Sequence, residues 1–92
     1  MEFEWDKNKA LANDKKHGIS FAEATTVFGD VFELTIADPA HSQSEYRFLS
    51  IGLSSIGSLL VVSYTERRRG IIRIISARKV TRQEQKYYEQ NH

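Results

Sequence analysis

Arginine is the residue of this chain best equipped for chemistry, and all seven arginines lie in the second half: Arg47, Arg67, Arg68, Arg69, Arg73, Arg78 and Arg82. A guanidinium stays charged near neutral pH and presents a rigid fork of donors that matches phosphate oxygens. Residues 1–46 carry a formal charge of −5 and residues 47–92 one of +6, so the net +1 hides two halves of opposite sign. That segregation points to an anionic partner, with a solvated, salt-bridged surface as the competing reading of charge alone. Arg73 is the sharpest case because it interrupts the run Ile71-Ile72-Arg73-Ile74-Ile75. A charge in such surroundings needs an anion or a hydrogen-bonded carboxylate, since an unpaired buried charge is strongly destabilising. Arg78, Lys79 and Arg82 cluster where a helix is predicted to start. Cations there oppose the helix dipole, so a bound anion explains them better than helix stability does.

Proton carriers are fewer. His41 follows Pro39 in the loop 38–44, close in sequence to Glu45 and Arg47. A loop imidazole can move a proton at physiological pH, and a neighbouring carboxylate would tune it; an ordinary exposed histidine is the alternative. Alternation along a strand would put Glu45 and Arg47 on one face, and Thr65 and Arg67 together at the end of the next strand. His17 ends the predicted first helix, where the dipole already explains it. With no cysteine, thiolate zinc sites and disulfides are excluded. The chain also lacks a phosphate-binding glycine loop, a dinucleotide fingerprint, an H-E-x-x-H pair and a nucleophile elbow. The expectation is phosphate recognition and phosphodiester transfer by acid–base chemistry, without metal or cofactor.

The elements that position these residues can be read from punctuation and periodicity. Phe3 and Trp5, alternating with Glu2 and Glu4, suggest a short strand that ends at Asp6, which can cap a helix reaching His17 and closed by Gly18. Ser20 and Glu23 have capping-box spacing for a second helix, stopped at Gly29-Asp30. An extended segment with Phe32, Leu34 and Ile36 runs to Asp38-Pro39. Strands are then expected near 45–53, 59–66 and 71–76 as an antiparallel meander, the last of them covered on both faces. Thr81 and Glu84 predict a final helix over about 82–89. The expected architecture is one α+β domain over residues 1–92, with N-terminal helices on a curved antiparallel sheet and a C-terminal helix. No run is long and apolar enough to span a bilayer, and the opening residues lack signal-peptide regions, so a cytoplasmic location is expected.

Six strings in order, F-E-W-D (3–6), K-H-G-I (16–19), F-A-E-A-T-T-V-F (21–28), H-S-Q-S-E-Y-R (41–47), I-G-L-S (51–54) and R-I-I-S-A-R-K (73–79), resemble the BrnT family of toxins from about residue 3 to 88. Ser58 departs from that pattern, which often has a basic residue after Gly57. The resemblance implies a RelE-like fold and ribonuclease activity that arrests translation. It also implies metal-independent attack of a ribose 2′-hydroxyl on its own phosphate. The implied partner is a BrnA-type antitoxin with a dimeric DNA-binding domain, two toxins assembling with two antitoxins and DNA contacted only through the antitoxin. His41, Glu45, Arg47, Thr65, Arg67, Arg73, Ser76 and Arg78 match charged or polar family positions. Of these, His41, Glu45, Arg47, Arg67, Arg73 and Arg78 are the expected catalytic set, with Thr65, Arg68, Arg69, Lys79 and Arg82 as RNA contacts. A nucleic-acid-binding or interaction module without catalysis is the alternative.

Overall fold

A computed structural model describes residues 1–41 and 45–91; Ser42, Gln43 and Ser44 of the H-S-Q-S-E-Y-R string lie outside them. The elements in order are β1 (Glu2–Glu4), α1 (Lys7–His17), α2 (Phe21–Thr25), a 3-10 turn (Thr26–Gly29), β2 (Leu34–Ala37) and a second 3-10 turn (Pro39–His41). They are followed by β3 (Phe48–Leu53), β4 (Leu59–Arg68), β5 (Ile71–Lys79) and α3 (Arg82–Gln90). The Asp6 carboxylate accepts from the amides of Asn8 and Lys9, chiefly Lys9 for its titration, which holds it below the usual carboxylate range. Gly18 closes α1 at φ 69°, a backbone region that costs glycine nothing.

The five strands form one sheet in the order β1-β5-β4-β3-β2. The sheet is mixed, which corrects the expectation of an antiparallel one: β1 pairs parallel with β5, Glu4 opposite Arg73. β1 is only three residues long, and its partner lies some seventy positions away, so no local pattern announces the pairing. β4 and β5 are joined antiparallel with irregularities at Ser63/Tyr64 and Glu66/Arg68, each of which adds local twist and bend.

The two faces of the sheet differ. Leu60, Val62, Tyr64, Ile72, Ile74 and Ala77 are buried with Ile19, Phe21, Ala24 and Val27 of the N-terminal helical segment. Phe3, Phe28, Tyr64 and Phe48 form a chain of ring contacts through this core, with centroids 5.0–5.5 Å apart. Gly52 sits where an added Cβ would come within 2.8 Å of Val27, so the 3-10 turn packs directly on β3. Ile71, Arg73 and Ile75 are only half-buried, and β5 is not covered on both faces as its apolar run suggested.

Asn13 fixes α1 to the sheet. β1 pairs with β5 only as far as Arg73, leaving the rest of that edge without a strand. There the Asn13 side chain accepts from the Ala77 amide (3.0 Å) and donates to the Ala77 carbonyl (2.9 Å) and to that of Ile19 (3.0 Å). One buried amide thus satisfies backbone groups that would otherwise be orphaned.

α3 lies toward the opposite face. Ile36, Leu49, Ile51 and Val61 of the sheet line a hollow whose other wall is Thr81, Gln83, Glu84 and Tyr87 of the α3 segment. Two polar latches fasten the helix. Arg78 donates from Nη1 and Nη2 to Glu84 at 2.8 and 2.9 Å, and the Tyr88 hydroxyl donates to Asp30 at 2.6 Å. Glu84 also completes a capping box with Thr81. The Arg78 guanidinium, then the Thr81 amide, bring the Glu84 carboxyl down to about 2. Burial, then Asp30, pushes the Tyr88 phenol up to about 12.

Candidate active site: a polar row across the open sheet face

Residues opposite one another in a ladder share a face. Glu4 stands opposite Arg73, and Arg73 opposite Thr65, on the face away from the main core. The row continues into the chain preceding β3. The Thr65 hydroxyl donates to the Tyr46 carbonyl at 2.7 Å, and the Asp38 amide donates to the Arg47 carbonyl at 2.9 Å. One transverse row therefore runs from Asp38 through Arg47 and Thr65 to Arg73 and Glu4. It crosses β1, β5 and β4 and the chain just beyond the ends of β3 and β2, about 19 Å for four steps at ~4.8 Å per strand spacing.

Two guanidinium groups converge on one oxygen at the β1 end. Arg73 Nη1 lies 2.8 Å from Glu4 Oε2, and Arg67 Nε lies 4.0 Å from the same atom. Arg73 and Glu4 are partly exposed, so water and ligands can reach the group. Sequence reasoning had left Arg73 the choice between an anion and a carboxylate; in the resting protein it has a carboxylate. Glu4 was not singled out, since only the parallel pairing of β1 brings it to Arg73. At the other end, His41 Nδ1 meets Asp38 Oδ2 at 2.9 Å, the imidazole being well exposed and the carboxylate largely buried. An imidazole whose Nδ1 proton goes to a carboxylate presents Nε2 as the reactive nitrogen. Asp38 is the second residue that sequence reasoning missed.

The structure divides the expected site residues into two groups. His41, Glu45, Arg47, Thr65, Arg67, Arg68, Arg69 and Arg73 belong to one end of the sheet, Arg67 to Arg69 at the exposed tip of the β4–β5 hairpin. Glu45 and Arg47 were expected inside a strand, but β3 begins at Phe48, because the Tyr46 carbonyl is taken by Thr65 and leaves the ladder. Thr65 is buried and holds that chain segment in place, so its hydroxyl is engaged internally. Arg78, Lys79 and Arg82 lie at the far end of β5 and the start of α3. Arg78 stands opposite Val61 of β4, at most about 16 Å from Arg73 at ~3.3 Å per strand residue, and is bound by Glu84. Among the described residues, no three His, Asp or Glu side chains form a group able to hold a metal ion. Nor is any helix there long and apolar enough to cross a membrane.

A small α+β protein with its N-terminal helices on one sheet face and, on the other, arginines beside a C-terminal helix has the layout of a polyanion-handling protein. The family model described as "Ribonuclease toxin, BrnT, of type II toxin-antitoxin system" matches residues 5–84. The chain belongs to the BrnT family of ribonuclease toxins of type II toxin–antitoxin systems. The crystal structure of the Brucella abortus ribonuclease toxin BrnT superposes with a TM-score of 0.65 at 21% identity, covering 89% of this chain and 99% of that one. No curated protein matches the sequence. A toxin of this type implies an RNA substrate and an antitoxin partner.

Proposed function

We propose that this chain is a metal-independent endoribonuclease that cuts RNA across the polar row and so arrests translation in the cytoplasm. The observation that carries the reading is the convergence of Arg73 and Arg67 on a single carboxylate oxygen. In this reading a phosphate takes the place of Glu4. The ribose 2′-hydroxyl attacks the adjacent phosphorus, the bond to the 5′-oxygen breaks, and the arginines meet the charge that develops on the phosphoryl oxygens. Glu4, displaced from Arg73 by the incoming phosphate, accepts the 2′-proton. Water, which reaches this partly exposed group, protonates the leaving 5′-oxygen, and His41, oriented by Asp38 at the far end of the row, contacts the strand further along. Glu45 and Arg47, at the His41 side of the row, flank the bound strand, and Arg68 and Arg69 steer it electrostatically. Arg78 serves as the latch for α3, with Lys79 and Arg82 as outlying RNA contacts.

The fold is read as RelE-like, with a BrnA-type antitoxin covering the row. The products follow from the chemistry: a 2′,3′-cyclic phosphate or, after its hydrolysis, a 3′-phosphate, opposite a 5′-hydroxyl. The test is to incubate the purified chain with RNA in excess EDTA and identify the ends. Those ends support the reading. A strict requirement for magnesium overturns its mechanism, and binding without any cleavage would make the chain a non-catalytic RNA-binding module.

A further inference from the structure

Charge on α1 is arranged differently from charge on the sheet. Lys9, Asn13, Lys16 and His17 recur at helical spacing and share one face. That face borders the edge of β5 beyond the end of β1, where Lys9, Lys16, His17, Ile75 and Ser76 line a cleft of about 230 Å³. The buried Asn13 sits between the two lysines and is bonded to Ala77, which fixes the rotation of α1 and so holds the lysines at the cleft. The cleft lining includes no carboxylate. Lys9, Lys16 and His17 form no ion pair among the described residues, whereas Arg67, Arg73 and Arg78 each face a glutamate. The dipole of α1 accounts for basic groups in its last turn, Lys16 and His17 included. Lys9, two turns earlier on the same face, lies beyond that effect and interacts instead with the N-cap carboxylate of Asp6, which is not part of the cleft lining.

The cleft also adjoins the polar row. Ser76 is three residues beyond Arg73 on β5, about 10 Å at ~3.3 Å per residue. A strand of RNA with one phosphate at Arg73 can therefore pass over the bare edge of β5 into the cleft. We propose that this cleft is an RNA-backbone subsite, in which Lys9, Lys16, His17 and the Ser76 hydroxyl bind phosphates flanking the one held at Arg73. The inference rests on the RNA-cutting role proposed above and adds a path for the substrate.

The experiment measures binding of a non-cleavable, 2′-O-methylated RNA oligonucleotide to the full chain over a range of salt concentrations. Each phosphate neutralised on a single strand contributes about −0.7 to the slope of log K against log salt. The double variant Lys9→Gln/Lys16→Gln should shallow that slope by about 1.4 and weaken binding at low salt. The control Lys7→Gln/Lys15→Gln removes the same charge from α1 outside the cleft and should leave the slope near that of the unmodified chain. Equal slopes for the two double variants would reduce the effect to bulk charge and overturn the subsite. So would a Lys9→Gln/Lys16→Gln protein that loses antitoxin affinity while its RNA slope is unchanged, since the cleft would then belong to a protein partner. Parallel cleavage assays on unmethylated RNA keep the two ideas apart: a slope change without cutting supports the subsite and overturns the nuclease reading. Cutting without a slope change does the reverse.

Discussion

A guanidinium that must receive a phosphate during turnover needs compensation while it waits, because a partly buried charge without a partner is costly. Glu4 supplies it, at 2.8 Å from Arg73 and within reach of Arg67. In the mechanism proposed above, the same carboxylate accepts the 2′-proton once a phosphate takes its place. Glu4→Gln should therefore fold, retain RNA binding, and lose cleavage rate by about 10²-fold or more, the usual contribution of a positioned acid or base. Single-turnover rates checked against binding affinity separate this outcome from a simple loss of affinity. Unchanged turnover in the variant would remove Glu4 from proton transfer and leave His41 and Glu45 as the carriers to test.

Among the elements, α1 and α3 depend on polar anchors more than on buried area. Asn13→Ala would strand the Ala77 amide and carbonyl at the bare edge of β5. An unsatisfied buried group costs about 1–3 kcal/mol, and chemical denaturation should report a loss of at least that size. α3 has no fully buried residue and rests on the Arg78–Glu84 and Tyr88–Asp30 contacts. The Glu84 carboxyl falls from its usual 4.5 to about 2 in the folded protein. A depressed folded-state value contributes stability that is present above pH 4.5 and lost as the pH drops through about 2. Stability measured between those limits should fall steeply in the unmodified chain, and Glu84→Gln should flatten that segment. Equal pH dependence in both would contradict the latch.

Caps and turns carried most of what could be read in advance at this scale. Asp6, Gly18, Ser20 and Thr81 each place a helix end within a residue or so, because capping chemistry is local. The meander from β3 to β5 is legible for the same reason, its strands being adjacent in sequence. β1 is different. Its parallel partner is remote, and with that pairing hidden, neither the mixed sheet nor the meeting of Glu4 with Arg73 was visible. Asp38 escaped notice because a turn beside a proline explains an aspartate without any role. Arg78 is the converse case: it is close to Arg73 in sequence, but β5 carries the two to different ends of the sheet.

For the whole molecule, the split of charge becomes a spatial statement. The first half supplies Glu4 and the Asp38–His41 pair, and the second half the arginines Arg67 and Arg73 that face Glu4, so the row is built from both. A toxin must be silenced while its host grows, and an acidic, apolar antitoxin segment laid along the row would do so by competing with RNA for the same cations. Light scattering of the co-purified pair should give two toxins with two antitoxins, and the complex should not cut RNA. A saturated complex that still cuts would place the antitoxin elsewhere on the surface.

The most direct measurement is the single-turnover rate of RNA cleavage in excess EDTA by the unmodified chain and by Arg73→Ala, with circular dichroism confirming that both are folded. The account predicts cleavage without metal by the first and a rate lower by about 10²-fold or more in the second, the usual loss on removing a group that stabilises transition-state charge. Cleavage that appears only when magnesium is added, or an Arg73→Ala protein that cuts at the full rate, would contradict it.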